Sequence, residues 1–302
     1  MQAQNLLQEG TLRLITKKVP ANFNLFLFGD CHMGSILFHQ DGWNQLVDMI
    51  HSPYKGLPAS ANYGVDMGDM VDAIMIDDPR FDFSIHQRPF YDIMVDEAVN
   101  ARKPIVKKLI TILIGNHEWK LLRFSNLTEK VCKVLNVPYG TWSSRITFKY
   151  KRNDDLIFKA FVMHGSRNIR SRAKSPELRE ANEKDMLRDA LKYKAGACSL
   201  AAMGHSHRLI VAEPIPELHL DDDEQRITQI YTELDQQAKI IPHYDRWYVN
   251  TGSFLKLYGN REQLEQGITG YAERFGYDPI ELGFTVCRVR DKKIEGVDKI
   301  KL

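Results

Sequence analysis

Apolar residues in this chain gather into short runs, and each run stops at a glycine or a polar cluster. Phe23–Phe28 stops at Gly29-Asp30, and Tyr63–Met67 stops at Gly68-Asp69. Leu109–Ile114 ends at Gly115-Asn116-His117, Phe158–Met163 at His164-Gly165, and Ser199–Met203 at Gly204-His205. Runs this short, bounded by turn residues, predict buried strands. Stretches with helical spacing lie between them, at about 42–51, 88–103, 118–135 and 176–194. Ser175-Pro176-Glu177 is a helix start: a serine to cap, a proline at the first turn, and an acid near the positive end of the dipole. Strands alternating with helices predict an α/β fold. Ser144–Tyr150 and Leu156–Met163 read as a hairpin turning at Lys151–Asp155, so the sheet is expected to be mixed. The acidic run Leu220–Glu224 predicts a β-excursion or a helix between Pro214 and Pro242. Trp247–Asn250 reads as a strand entering Thr251-Gly252-Ser253, and Phe284–Arg290 with Ile294–Ile300 as a terminal hairpin.

Composition narrows this little. The chain has 302 residues, 43% apolar and 26% charged, with a net charge of +2. Those values exclude a disordered chain, a collagen-like repeat and a disulfide mini-scaffold. They give no overall basic footprint for nucleic acid, although a local patch stays open. Cys31, Cys132, Cys198 and Cys287 are far apart and form no CxxC pair, which leaves zinc ribbons and thioredoxin-like motifs unsupported. Free thiols suit a reducing compartment. The first residues carry no basic stretch followed by an apolar one, and no apolar run approaches the ~20 residues of a membrane span. The expectation is a cytoplasmic protein with no membrane association.

The candidate chemistry sits just past the strand ends. Asp30 and His32 come after the first strand, Asp69 and Asp72 after the second, Asn116 and His117 after the third, His164 after the fourth, His205 and His207 after the fifth. In open α/β sheets the carboxyl ends of the strands converge on one crevice. Five chain segments would thus bring Asp, Asn and His to one rim. Taken singly, each cluster has a plainer reading: Gly-Asp is common in turns, and Asn116 can cap a helix. Their joint occurrence, each closing an apolar run, points to metal binding. Oxygen and nitrogen donors without thiolate suit a divalent first-row ion rather than an iron–sulfur cluster. The count is enough for two ions, and Asp69 has two oxygens with which to bridge them. Alternation turns Cys31 and Ser206 away from the site, as packing residues. His39, His51, His219 and His243 have no motif around them and are expected to be structural or on the surface.

These clusters resemble the calcineurin-like metallophosphoesterase superfamily. The matching pieces are Gly29-Asp30-Cys31-His32, Gly68-Asp69-Met70-Val71-Asp72, Gly115-Asn116-His117-Glu118, His164-Gly165 and Gly204-His205-Ser206-His207. They span residues 29–207. Glu118 stands where many members carry Asp, at a position that is not a metal ligand in the family. The resemblance implies a four-layer α/β/β/α sandwich with mixed sheets, formed by a single domain over 1–302. Residues 208–302 would then be a C-terminal elaboration that completes the second sheet or forms a small cap. It also implies two divalent ions, manganese first, with iron, zinc, nickel, cobalt or magnesium as alternatives. Asp30, His32, Asp69 and His207 would hold one, and Asp69, Asn116, His164 and His205 the other. His117 would be the general acid, oriented by Asp72, with an adjacent carboxylate favouring its imidazolium form.

The implied activity is hydrolysis of phosphate esters by a hydroxide activated between the ions. A phosphodiesterase acting on nucleic acid or a nucleotide-type diester is the leading expectation. A phosphomonoesterase or protein phosphatase is the alternative, and a non-catalytic protein-binding scaffold a remote one. Substrate choice must come from the loops between motifs. Residues 73–90 are rich in aromatic and charged groups and include His86 and Arg88. Residues 165–175 carry Arg167, Arg170, Arg172 and Lys174 without an acid, and Arg167 and Arg170 are the expected substrate contacts. Trp119 and Trp142 are expected in the core, with base stacking as the alternative.

Overall fold

A computed structural model of the chain describes residues 12–78, 81, 85–86, 90–265 and 276–302. In chain order the elements are β1 (Arg13–Val19), β2 (Phe23–Phe28), α1 (Gln40–His51), β3 (Asn62–Asp66), α2 (Tyr91–Arg102), β4 (Leu109–Ile112), α3 (Asn116–Lys120) and α4 (Leu127–Leu135). After them come β5 (Ser143–Tyr150), β6 (Leu156–Met163), α5 (Pro176–Leu191), β7 (Leu200–Met203), β8 (Leu209–Ala212), β9 (Leu218–Asp222), β10 (Ile227–Tyr231), β11 (Trp247–Thr251), α6 (Arg261–Glu265), β12 (Gly283–Arg290) and β13 (Lys293–Lys301). The chain is mixed α/β. One sheet runs β13-β12-β2-β3-β4 and the other β1-β5-β6-β7-β11-β8, while β9 and β10 pair only with each other. Both large sheets combine parallel and antiparallel pairs.

Strand alternation sorts the core. In β2, Phe23, Leu25 and Leu27 face the second sheet, where they meet Phe148, Phe158 and Val249. Phe26 and Phe28 point the other way, onto Trp43 and Leu46 of α1 and into a cluster that includes α2 and α4. In β7, Leu200 and Ala202 enter the core shared by the sheets, while Ala201 and Met203 join Leu187 and Leu191 of α5. This is the two-residue period of a strand buried on both faces. Residues beyond His207 contribute β8 and β11 to one sheet and β12 and β13 to the other.

One expectation changes. The helix expected over 118–135 is two helices. Asn126 breaks it by accepting from the Glu129 amide at 3.0 Å, a side-chain bond that starts α4 afresh. Of the two readings of the acidic run 220–224, the β-excursion holds: the run ends β9 and enters the turn of the β9–β10 hairpin, and both strands are exposed along their whole length. Strands β1 and β8 have no clear signal in the sequence. The first is an edge strand with mostly exposed positions, and the second is only four residues long, too short to show a period. Ser175 does cap α5, accepting from the Leu178 amide at 3.1 Å.

Candidate metal centre

The carboxyl ends of β2, β3, β4, β6 and β7 carry the polar clusters to a shared cavity of about 490 Å³, with Asp30 and His164 buried behind its wall. Asp30, His32, Asp69 and His164 are buried, although all four side chains can ionise. The local backbone is unusual. Asp30, His32, Asp69, His205 and His207 all have left-handed φ, between 50° and 68°. Such a conformation costs roughly 1–3 kcal/mol per non-glycine residue and persists only where its surroundings enforce it. What enforces it here is visible. Asp30 and His32 donate their amides to the carbonyls of Gly68 and Asp69, at 2.9 and 3.0 Å. The His205 amide donates to the Asp30 carboxylate at 2.9 Å. A Cβ on Gly204 would stand 2.7 Å from that same carboxylate, so glycine is what lets the chain pass.

Tautomers are set by the partners. A carbonyl only accepts, so His164, 2.8 Å from the Met67 carbonyl through Nδ1, carries its proton there. Its Nε2 then faces Asn116 Oδ1 at 3.0 Å and Asp69 Oδ2 at 3.3 Å. His205 Nδ1 meets the same Asn116 oxygen at 2.5 Å. His32 donates from Nδ1 to Asp72 Oδ1 at 3.2 Å, leaving Nε2 turned toward His207 Nε2 at 3.1 Å and Asp69 Oδ2 at 3.8 Å. His207 Nε2 lies 3.4 Å from Asp30 Oδ1. Imidazole nitrogens and carboxylate oxygens therefore converge on two places, and positive charge must sit among them, whether as a proton or as an ion. The titration behaviour agrees. Burial pulls His164 down, but the Asp69 carboxylate more than reverses this and holds it up at about 10. Burial pushes Asp69 up, and the surrounding imidazoles, His164 first, bring it well below the usual carboxylate range. The donor set fits two divalent ions sharing Asp69, with His32 and His164 each oriented by a bond from the other nitrogen. His117 also comes within the reach of a group formed with His32 and Asp69.

The His117–Asp72 arrangement departs from expectation. His117 Nδ1 donates to the main-chain carbonyl of Asp72, and the Asp72 carboxylate is 3.6 Å away. That carboxylate is taken instead by His32, at 3.2 Å, and by His86, at 2.9 Å. Burial, joined by neighbouring His32, pushes His117 down to about 4, so its resting form is the neutral imidazole rather than the imidazolium.

Several residues that hold the site together are given no role in it by the sequence. Glu118 is buried, and its carboxylate accepts from the amides of Asp69, Val71 and Gly115, at 3.1, 3.0 and 2.9 Å. It ties the β3 loop to the β4 loop beside Asp69 and Asn116. Burial, with Asp69 beside it, raises its pKa to about 7. Arg102 lies wholly buried, donating to Asp66 at 2.7 Å and packing over Trp43 at 5.2 Å. Ser253, after β11, donates to the Asp30 carbonyl at 2.9 Å. Ser206 is not a packing residue: it lies on the cavity wall and accepts from Asn250 at 2.6 Å. Cys31 is buried in the helix-side core, as expected.

Around the ligands the cavity is partly apolar, with Ile74, Phe81, Ile85, Leu255, Leu257 and Tyr277 on its wall. His86, from the expected specificity loop, stacks on Phe81 at 5.8 Å. Arg88 lies outside the described residues. Arg170 lines the cavity and pairs with Asp278, whereas Arg167 is exposed and does not line it. Trp119 is 54% exposed rather than in the core, and it meets Trp142 edge-on at 5.7 Å; Trp142 meets His164 at 5.5 Å. His39 caps α1, accepting from the Gly42 amide at 3.1 Å, and His51 bonds the Pro104 carbonyl at 2.8 Å. The four cysteines are buried and free, and among the described residues no helix is long and apolar enough to cross a membrane.

No family model and no curated protein matches the chain. Solved structures similar to it include a metallophosphoesterase from Sphaerobacter thermophilus, at 13% identity and a TM-score of 0.39, covering 93% of this chain and 88% of that one. A double mutant of Vps29 from Entamoeba histolytica gives 10% identity and a TM-score of 0.37, covering 93% and 99%. A predicted phosphoesterase from Streptococcus pneumoniae gives 11% identity and 0.27, covering 93% and 98%. At such scores the likeness decides nothing about chemistry, which rests on the residues themselves.

Proposed function

We propose that the chain is a calcineurin-like metallophosphoesterase, a two-metal phosphodiesterase acting on nucleic acid or a nucleotide-type diester. The observation that carries this reading is the convergence of imidazole nitrogens and buried carboxylates on two adjoining places that share Asp69. Asp30, His32, Asp69 and His207 would hold one divalent ion, manganese first, and Asp69, Asn116, His164 and His205 the other. Bound there, the ions would supply Lewis-acid charge against the phosphoryl oxygens and an activated water.

The chain's own residues do the rest. Met67 and Asp72 fix the tautomers of His164 and His32, so that ligating nitrogens face inward. Glu118 locks the two loops against each other, which keeps the donors in place before any substrate arrives. His117 keeps its Nδ1 proton on the Asp72 carbonyl, leaving Nε2 for the leaving oxygen. A phosphate anion near that nitrogen raises its proton affinity from the resting value of about 4. The apolar wall with Phe81 and Tyr277 suits a bulky, partly apolar group on the ester, as a diester offers on both sides of phosphorus.

The test is a comparison of bis-p-nitrophenyl phosphate with p-nitrophenyl phosphate, using protein stripped by EDTA and refilled with Mn²⁺. Higher kcat/KM on the bis-ester supports the diesterase reading. Preference for the mono-ester would replace it with the monoesterase alternative, and no turnover of either with any divalent ion would remove both.

A further inference from the structure

Beside the metal-candidate cavity lies a second cleft of about 720 Å³. The two share a wall, since Arg170, Arg208 and Asp278 line both. Arg170, Arg172, Arg179, Arg208 and Lys299 point positive charge at the second cleft, from the loop after β6, from α5, from the turn before β8 and from β13. Four acids line it as well, but each is already engaged. Glu180 pairs with Lys184 at 3.2 Å and Glu281 with Lys301, both cations lying outside the lining. Asp278 pairs with Arg170. Glu183 accepts from the Ser171 amide at 3.2 Å and lies 3.9 Å from Arg208.

What remains is net positive, although Lys299 also bears on Glu180, whose carboxyl is held down by Lys184 first and Lys299 after it. Among the described residues, no ion pair within 4.0 Å involves Arg172, Arg179 or Lys299, and Arg179 is steadied by the carbonyls of Ala173 and Lys174, at 3.2 and 3.3 Å. A single phosphate is satisfied by one or two cations. Three on separate elements, continuous with the candidate reaction cavity, match a row of phosphates. The recessed cavity beyond them has an apolar wall with Phe81 and Tyr277, a surface on which one base can rest. A duplex would have to open to reach it.

We propose that this cleft carries the backbone of a single-stranded oligonucleotide whose next phosphodiester lies in the metal-candidate cavity. The proposal rests on the diesterase reading for its chemistry, but its binding test does not. Binding of fluorescein-labelled decathymidylate is followed by anisotropy, in EDTA, over a salt series. The full-length chain is compared with the double variant Arg172→Glu/Lys299→Glu, whose two positions are exposed and outside the ligand set. The expected result is at least tenfold weaker binding by the variant, with the log–log salt slope flattened by about 0.7 for each lost phosphate contact. In parallel, turnover of bis-p-nitrophenyl phosphate with Mn²⁺ should be unchanged by the variant. Equal affinity and equal salt slope for both proteins would overturn the cleft proposal while leaving the diesterase reading intact. Loss of decathymidylate binding on charge reversal, together with no turnover of any ester, would uphold the cleft and overturn the diesterase reading.

Discussion

Asp66 and Asp69 stand three positions apart at the end of β3, both buried, and they do opposite things. The Asp66 carboxylate meets a cation that the chain itself supplies. Arg102 donates at 2.7 Å, the Gly68 amide donates to the other oxygen at 3.1 Å, and nothing is left over. Burial pushes the Asp66 carboxyl up and Arg102 works against it, while Asp66 in turn holds the buried guanidinium charged. The Asp69 carboxylate meets imidazoles whose other nitrogens are already committed, and it lines a cavity. A buried carboxylate with a tethered cation is a rivet. One facing convergent imidazole nitrogens across a cavity wall is a place for an ion from solution. The same residue type, three steps along one loop, separates fold from function.

Breaking the second kind should have the largest effect. Asp69→Asn removes the shared ligand: bound Mn²⁺ should fall below one ion per chain and turnover by about 10³-fold or more, the several kcal/mol that bound metal supplies. Mn²⁺ analysis and kcat on bis-p-nitrophenyl phosphate check it. His117→Ala should cut kcat by ~10²–10⁴ yet keep both ions, which separates the acid from the ligands around it. If metal were lost in parallel with activity, His117 would belong to the donor set.

Breaking the first kind should act on stability instead. Arg102→Met leaves Asp66 buried and unpaired, a loss of about 3–5 kcal/mol in urea unfolding. Adding Asp66→Asn should recover part of that, because the uncompensated charge is gone. At the small end, Leu220→Ser in the exposed β9–β10 hairpin should change stability by less than about 0.5 kcal/mol and leave turnover alone.

Legibility in the sequence divides along the same line. The strand-end positions Asp30, His32, Asp69, Asn116, His164, His205 and His207 are legible because each closes an apolar run. The geometry brings all seven to one cavity or directly beneath it. The mixed α/β class is legible for the same reason, since the runs and the hairpin signal are local. Arg102 is not: its partner is 36 residues away, and nothing local distinguishes it from a surface arginine ending α2. Glu118 is easily passed over because it ligates nothing, and its work is done on three main-chain amides. The loop after His164 misleads by composition, since four basic residues close together say nothing about direction. Arg170 turns into the cavity, Arg172 lines the neighbouring cleft, and Arg167 faces solvent.

The contrast between the two aspartates comes down to a count of ions. Equilibrium dialysis of the full-length protein against Mn²⁺, followed by elemental analysis, measures it without reference to any substrate. Two ions per chain in the unaltered protein and in His117→Ala, with fewer than one in Asp69→Asn, is the predicted result. One ion or none in the unaltered protein, or two retained in Asp69→Asn, would contradict the shared two-ion centre.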